Sequence, residues 1–232
     1  MRKIVYAFCI WRIFLFLPLV ASQLFLRVRS GFDYTTPLHY INSYNPISQF
    51  LLYPWANFDG IYYLTIAGSG YTVDNAGFFP LFPFLINVTS SIFGNVKAFD
   101  PAQFLAALIL VSILFLLSLI LFHKLIRIDY NKEISFQSIL FLLLFPVSFF
   151  LATIYSESLF FLLLVLSFYF ARKDNWAFSA IFAMLLTATR LVGVAIIPAL
   201  IFEFYIQNKT IVSKKNNSTY HKSFGHFVLR LV

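Results

Sequence analysis

Residues 104–122, FLAALILVSILFLLSLILF, run for nineteen positions without a charged side chain. About 20 helical residues cross a hydrocarbon core of roughly 30 Å. In lipid the backbone has no water to bond to, so such a segment satisfies its own N–H and C=O groups as a helix. Composition makes the same demand of the whole chain. Of its 232 residues, 60% are hydrophobic, 20% aromatic and only 11% charged, against a charged share of about 25% in soluble domains. Mean hydropathy is +0.83. Polar groups are too few to cover a water-facing surface, so the expectation is an all-α polytopic membrane protein.

The net charge is +8. In a membrane protein, Lys and Arg collect in cytoplasmic connections and set orientation. No basic patch is interleaved with polar surface, so nucleic acid is not an expected partner. The one cysteine, Cys9, lies in an apolar run. No intrachain disulfide forms and no thiolate metal cluster is available. NVT at Asn87 and NKT at Asn208 fit the glycosylation pattern, which short sequences match readily by chance.

The first apolar segment follows Arg2 and Lys3 and extends to Leu26. It is longer than a signal-peptide core and lacks a good small-residue cleavage site, so it reads as a retained first span. Six spans are expected, at 4–26, 102–122, 135–152, 156–171, 176–189 and 190–207. A seventh apolar piece, 78–94, carries Pro80, Pro83, Asn87 and a Thr-Ser-Ser run. Arg2 and Lys3, HKLIRIDYNKE (123–133), RKDN (172–175) and NKTIVSKKNN (208–217) are the basic segments, and the charge rule places all of them inside. Residues 78–94 are then interfacial or re-entrant. Were they a span instead, every later connection would change sides. The expected division is a transmembrane domain over 1–207, with an extracytoplasmic loop at about 27–77, and a polar basic tail over 208–232. Three polar constellations then converge on the outer face.

The first is FDGIYYLTIAGSGY. Its apolar spacing suggests a short interfacial helix at about 60–67, with Asp59 just before it at a capping position. Flanked by Trp55, Phe58 and Tyr62, Asp59 would be partly desolvated, the setting in which a general base accepts a proton from a hydroxyl. The second is YSES, with Glu157 between two apolar runs; an ionisable group there either caps the next helix or serves a site. The third is LLTATRLVGVAIIP, in which Arg190 is the one charge in a long apolar segment. Arg190 either snorkels to an interface or meets an anion, since its forked donors match phosphate oxygens. Arg12 in the first span poses the same choice.

Taken in order, FDGIYYLTIAGSGY with FFPLFP, then YSESLF, then TRLVG resemble the GPI-anchor mannosyltransferase V (PIG-V) family over residues 55–200. The resemblance implies a GT-C-like bundle of about six to seven transmembrane helices, with short interfacial helices in the first outer loop. It implies an inverting glycosyltransferase that moves a hexose, mannose in the studied branch. The donor is a polyprenyl-phosphate sugar and the acceptor a hydroxyl of a glycolipid or glycan on the extracytoplasmic face. By position Asp59 matches the first-loop acidic residue taken as the base, and Glu157 and Arg190 match the family's other polar positions. Arg190 is then expected to meet the donor phosphate, and Glu157, Tyr155, Ser156, Tyr71 and Asp74 to bind substrate. Asp59 and Glu157 could supply oxygens to a divalent metal, but no dense ligand set predicts one. The family commonly has Trp directly before the Asp, where this chain has Phe58 and carries Trp55 three positions earlier. Relatives are commonly longer, so a truncated member is expected, and a protein partner is compatible with that. Localisation follows as plasma membrane in a prokaryote or endoplasmic reticulum in a eukaryote. Two other classes fit the apolar pattern less well: an inactive or accessory membrane subunit, and a transporter, for which the internal repeats common in that class are missing.

Overall fold

The computed structural model describes residues 1–26, 31, 33–41, 46–94 and 97–216. Residues 217–232 of the expected tail lie outside the described residues, as do 27–30, 32 and 42–45 of the expected outer loop. Every regular element among the described residues is helical, as the composition requires.

The first apolar segment forms α1 (Arg2–Phe14) and α2 (Phe16–Phe25). The break at Leu15 has a local cause: Pro18 lacks the N–H that would bond to Phe14, and its ring crowds that carbonyl. Then come α3 (Pro46–Leu51), α4 (Asp59–Ser69) and α5 (Leu81–Ser91). The longest helix is α6 (Pro101–Ile126), which opens with a proline in its first turn where a missing N–H costs nothing. Next are α7 (Lys132–Leu144), α8 (Glu157–Arg172), α9 (Trp176–Thr187) and α10 (Ile196–Asn216). Among the described residues, three stretches are long and apolar enough to cross a membrane: Arg2–Phe25, Pro101–Ile126 and Leu191–Lys209.

Two expected boundaries are corrected. The span expected at 135–152 ends as a helix at Leu144, because Phe145 precedes Pro146 and turns extended; Ser148–Leu151 then form a short 3-10 turn. Arg190 was expected to open the span at 190–207. It is extended instead (φ −160°, ψ 148°), between α9 and a 3-10 turn at Leu191–Ala195. At 1.5 Å per residue, α7, α8 and α9 run about 20, 24 and 18 Å, each short of a full hydrocarbon core. The α5 helix runs about 16 Å, half of that thickness.

The core is built around α6, whose Phe104, Val111, Phe115 and Leu119 are fully buried. Phe115 joins three helices: its ring lies 6.0 Å from Phe8, 5.2 Å from Trp11 and 6.5 Å from Phe161. Side-chain amides tie the short helices to it and to one another. Gln103 Nε2 donates to the Leu64 carbonyl at 2.9 Å, and Gln103 Oε1 accepts from the Phe99 N–H. Asn87 of the glycosylation pattern donates to the Ala67 carbonyl at 2.7 Å. Ile10, Ile13 and Leu17 on the first segment, Phe141 and Leu144 on α7, and Met184 on α9 are exposed. An apolar exterior of this extent suits lipid.

Polarity is unevenly distributed between the two ends of the bundle. Glu157 opens α8 and Arg172 closes it. The N-terminal ammonium, Arg127 and Lys132 all act electrostatically on His123 at the far end of α6. The basic segments that the charge rule groups together are therefore grouped in space, at the end opposite Glu157.

Candidate active site

Four structural devices bring the first two constellations together. Residues Tyr53–Ala56 form a 3-10 turn with Trp55 buried, and the Ile154 N–H donates to the Trp55 carbonyl at 2.8 Å. Tyr155 then donates its hydroxyl to the Asn57 carbonyl at 2.8 Å. Tyr63, one turn along α4 from Asp59, donates to Ser156 Oγ at 3.1 Å. Gly60 makes the approach possible: a Cβ there would lie 3.0 Å from Ala56 Cβ and 3.3 Å from the Ile154 carbonyl.

Asp59 is not the cap of α4. It is the first helical residue, and Phe58 holds the capping position without a side-chain bond. Phe58 has φ 58° and ψ −117°, a conformation that a residue with a Cβ adopts only at a cost of about 1–3 kcal/mol. Its N–H is held by the Thr35 carbonyl at 2.8 Å. The strain aims Asp59 into the first turn of α4, where the helix dipole favours a negative charge.

Glu157 likewise opens α8, and its Oε1 accepts a short ion-paired hydrogen bond from Arg190 Nη1. Both side chains remain partly exposed. The Leu81 N–H donates to the Ala188 carbonyl at 3.3 Å, which fastens α5 beside the arginine. Asp59, Glu157 and Arg190 all act electrostatically on the Tyr63 hydroxyl. Burial pushes the Tyr63 phenol up, and the Ser156 hydrogen bond partly offsets this. Burial also raises Tyr155, and the neighbouring Asp59 and Glu157 carboxylates raise it further. Both phenols stay protonated donors at neutral pH.

Of the other expected residues, Tyr155 is nearly buried and Ser156 fully so. Their hydroxyls are spent on Asn57 and Tyr63. Tyr71 and Asp74 are exposed on the connection after α4. Tyr71 donates to the Phe78 carbonyl at 2.9 Å, and the Phe78 ring stacks on Tyr62 at 4.9 Å. The connection thus folds back along α4, but no hydrogen bond or ion pair joins Tyr71 or Asp74 to the acidic pair among the described residues.

Sequence reasoning missed Tyr63 and Gly60. It raised Arg12 without a role. Arg12 Nη1 donates to the Ala152 carbonyl at 2.6 Å, and its guanidinium lies 4.5 Å from the Trp55 ring centre. The intramembrane charge thus clamps the two loops that carry Asp59 and Glu157. Among the described residues no group of three or more His, Cys, Asp and Glu side chains gathers.

Fold and cluster together define the class: an all-helical membrane protein with two carboxylates and a guanidinium collected at one end of the bundle. The sequence pattern of the mannosyltransferase (PIG-V) family matches residues 1–231, and the chain belongs to that family. It is thus a member of a membrane mannosyltransferase family, and the resemblance read over residues 55–200 extends across the chain. No curated protein and no solved structure matches it.

Proposed function

We propose that the chain transfers mannose from a polyprenyl-phosphate donor to a hydroxyl of a lipid-linked or glycan acceptor, with inversion, on the extracytoplasmic face. The observation that carries this reading is the meeting of Asp59, Glu157 and Arg190 around Tyr63. Asp59 accepts the proton of the acceptor hydroxyl. As the acceptor oxygen bonds to the anomeric carbon, the bond from that carbon to the phosphate oxygen breaks on the opposite face. The electron pair leaves with the polyprenyl phosphate. Arg190, oriented beforehand by Glu157, stabilises the charge growing on that phosphate, the kind of preorganised electrostatics that dominates such steps. Tyr155 lines the sugar side. Ser156 is fully buried, so its part in binding runs through Tyr63. Tyr71 and Asp74 border the acceptor side.

A place for the lipid tail supports the reading. An apolar groove of about 570 Å³ lies between α9 and α10, lined by Ala183, Met184, Thr187, Ile197 and Ile201 among others. Thr187 stands three positions before Arg190, and the Trp176 and Phe204 rings meet edge to face at 5.0 Å at the far end.

The test is transfer of labelled mannose from polyprenyl phosphate by membranes that contain the full chain. Asp59→Asn lowers turnover by about 10²-fold or more, with membrane insertion and helicity unchanged. Arg190→Ala raises the KM for the donor more than that for the acceptor. Full turnover by Asp59→Asn removes Asp59 as the base, and a selective loss of acceptor affinity in Arg190→Ala reassigns the arginine.

A further inference from the structure

The end of the bundle opposite Asp59 holds a second built feature. A cleft of about 540 Å³ is lined by His123, Lys124, Arg127 and Ile128 from the end of α6 and by Tyr169 and Lys173 from the end of α8. An ion pair between Asp129 and Arg172 at 2.5 Å holds these two ends together. Two further carboxylates at this end are engaged. Glu203 bonds with Arg172 and Gln207, and Asp174 accepts from Trp176 Nε1 at 2.9 Å. Among the described residues, Lys124, Arg127 and Lys173 form no ion pair with any carboxylate. His123 Nδ1 meets Ser135 Oγ at 2.6 Å, while that hydroxyl donates to the His123 carbonyl.

Basic residues at this end are expected from the charge rule alone, and cations at helix C-termini also complement the dipole. Neither effect requires them to line one concavity from two helices separated by more than forty positions in the chain. Three permanent cations, a phenol and an imidazole around one cleft match the oxygens of a phosphate group. Clefts of this kind between helix ends at the inner face suit phosphate-bearing headgroups.

We infer that the cleft between the ends of α6 and α8 is an anion site that takes a phosphate group, with Lys124, Arg127 and Lys173 as its ligands. The phosphate belongs either to the headgroup of an anionic lipid or to a free phosphate or diphosphate.

The experiment uses the full chain purified in detergent and in nanodiscs. Native mass spectrometry measures retention of phosphatidylglycerol against phosphatidylcholine. Thermal melting with inorganic phosphate or pyrophosphate measures binding of the free ion. Retained phosphatidylglycerol identifies the headgroup as the source. Stabilisation by inorganic phosphate or pyrophosphate without lipid preference identifies the free ion. In either case the double variant Arg127→Gln, Lys173→Gln weakens binding about tenfold or more. Arg127→Lys with Lys173→Arg, which keeps the charge, retains it and covers the event that the neutral variant misfolds. Lys3→Gln is a basic change in the first turn of α1, at an exposed position outside the cleft, and it leaves binding unchanged. Loss of binding as large in Lys3→Gln as in the double variant reduces the site to diffuse charge and overturns the inference. So does the absence of binding to any of the probes.

Discussion

Asp59 owes its position to the residues on either side of it. Phe58 adopts a positive φ that carries the chain into α4, and Gly60 lets the Ile154 carbonyl approach within van der Waals reach. The three charged residues were legible because charge in an apolar sequence stands out. Tyr63 was not. An aromatic at helical spacing looks like core in a chain that is 20% aromatic, and its partner Ser156 lies 93 positions away. Tyr155 yields a pH prediction. Burial and then its acidic neighbours raise its pKa above that of an ordinary phenol. A raised value means that its stabilisation is fully present below about pH 10, the unfolded phenol value, and is lost as pH rises beyond that. The melting temperature should hold from about pH 7 to about pH 9.5 and fall above about pH 10. Tyr155→Phe should melt lower at neutral pH, by roughly 1 kcal/mol for the lost bond to Asn57, and fall less steeply in alkali. Equal alkaline slopes in the two proteins would exclude Tyr155 as the titrating group.

At the scale of elements, the instructive difference lies around Arg190. The sequence divides two expected spans, 176–189 and 190–207, at Arg190, but periodicity records hydrophobicity and gives neither the shape nor the cause of the backbone break there. The break has a packing cause. Gly193 sits against the end of α9 so closely that a Cβ would lie 2.7 Å from the Leu186 carbonyl oxygen and 2.9 Å from Thr187 Cα. These are backbone atoms and cannot swing aside. The Gly193 N–H also bonds to the Arg190 carbonyl at 2.9 Å, so the same contact that ends the helix sets the arginine facing Glu157. Gly193→Ala should therefore cost about 1–3 kcal/mol of stability and raise the donor KM in the surviving folded protein. Differential scanning fluorimetry with kinetics checks both, and an unchanged melting temperature would show that the contact yields. The break before α8 was missed as well, since the expected span ran through to 152, although its signal is in the sequence: Pro146 forces Phe145 out of the helical region.

For the whole molecule the decisive property is its two unlike ends. About 24 Å of α8 separates Glu157 from Arg172, and the basic connections collect at the Arg172 end. If the ends face opposite sides of a membrane, a Cys9→Ser background with Val73→Cys, at a site 94% exposed, should label from one side. Tyr130→Cys, 39% exposed, should label only from the other. Labelling of both from one side would place Asp59 and the basic cleft on the same face and undo the proposed topology. The sequence by itself determined that lipid is the solvent, that helices are the only regular element available and that a few charges would be held in apolar surroundings. These are local sums over composition and runs, and they need no knowledge of which helix touches which. Only the tertiary structure decided that Glu157 pairs with Arg190, that Tyr63 joins Ser156 and that Arg12 clamps two loops. Each of these depends on helices packed against α6 from distant parts of the chain, and no period in the sequence encodes that packing.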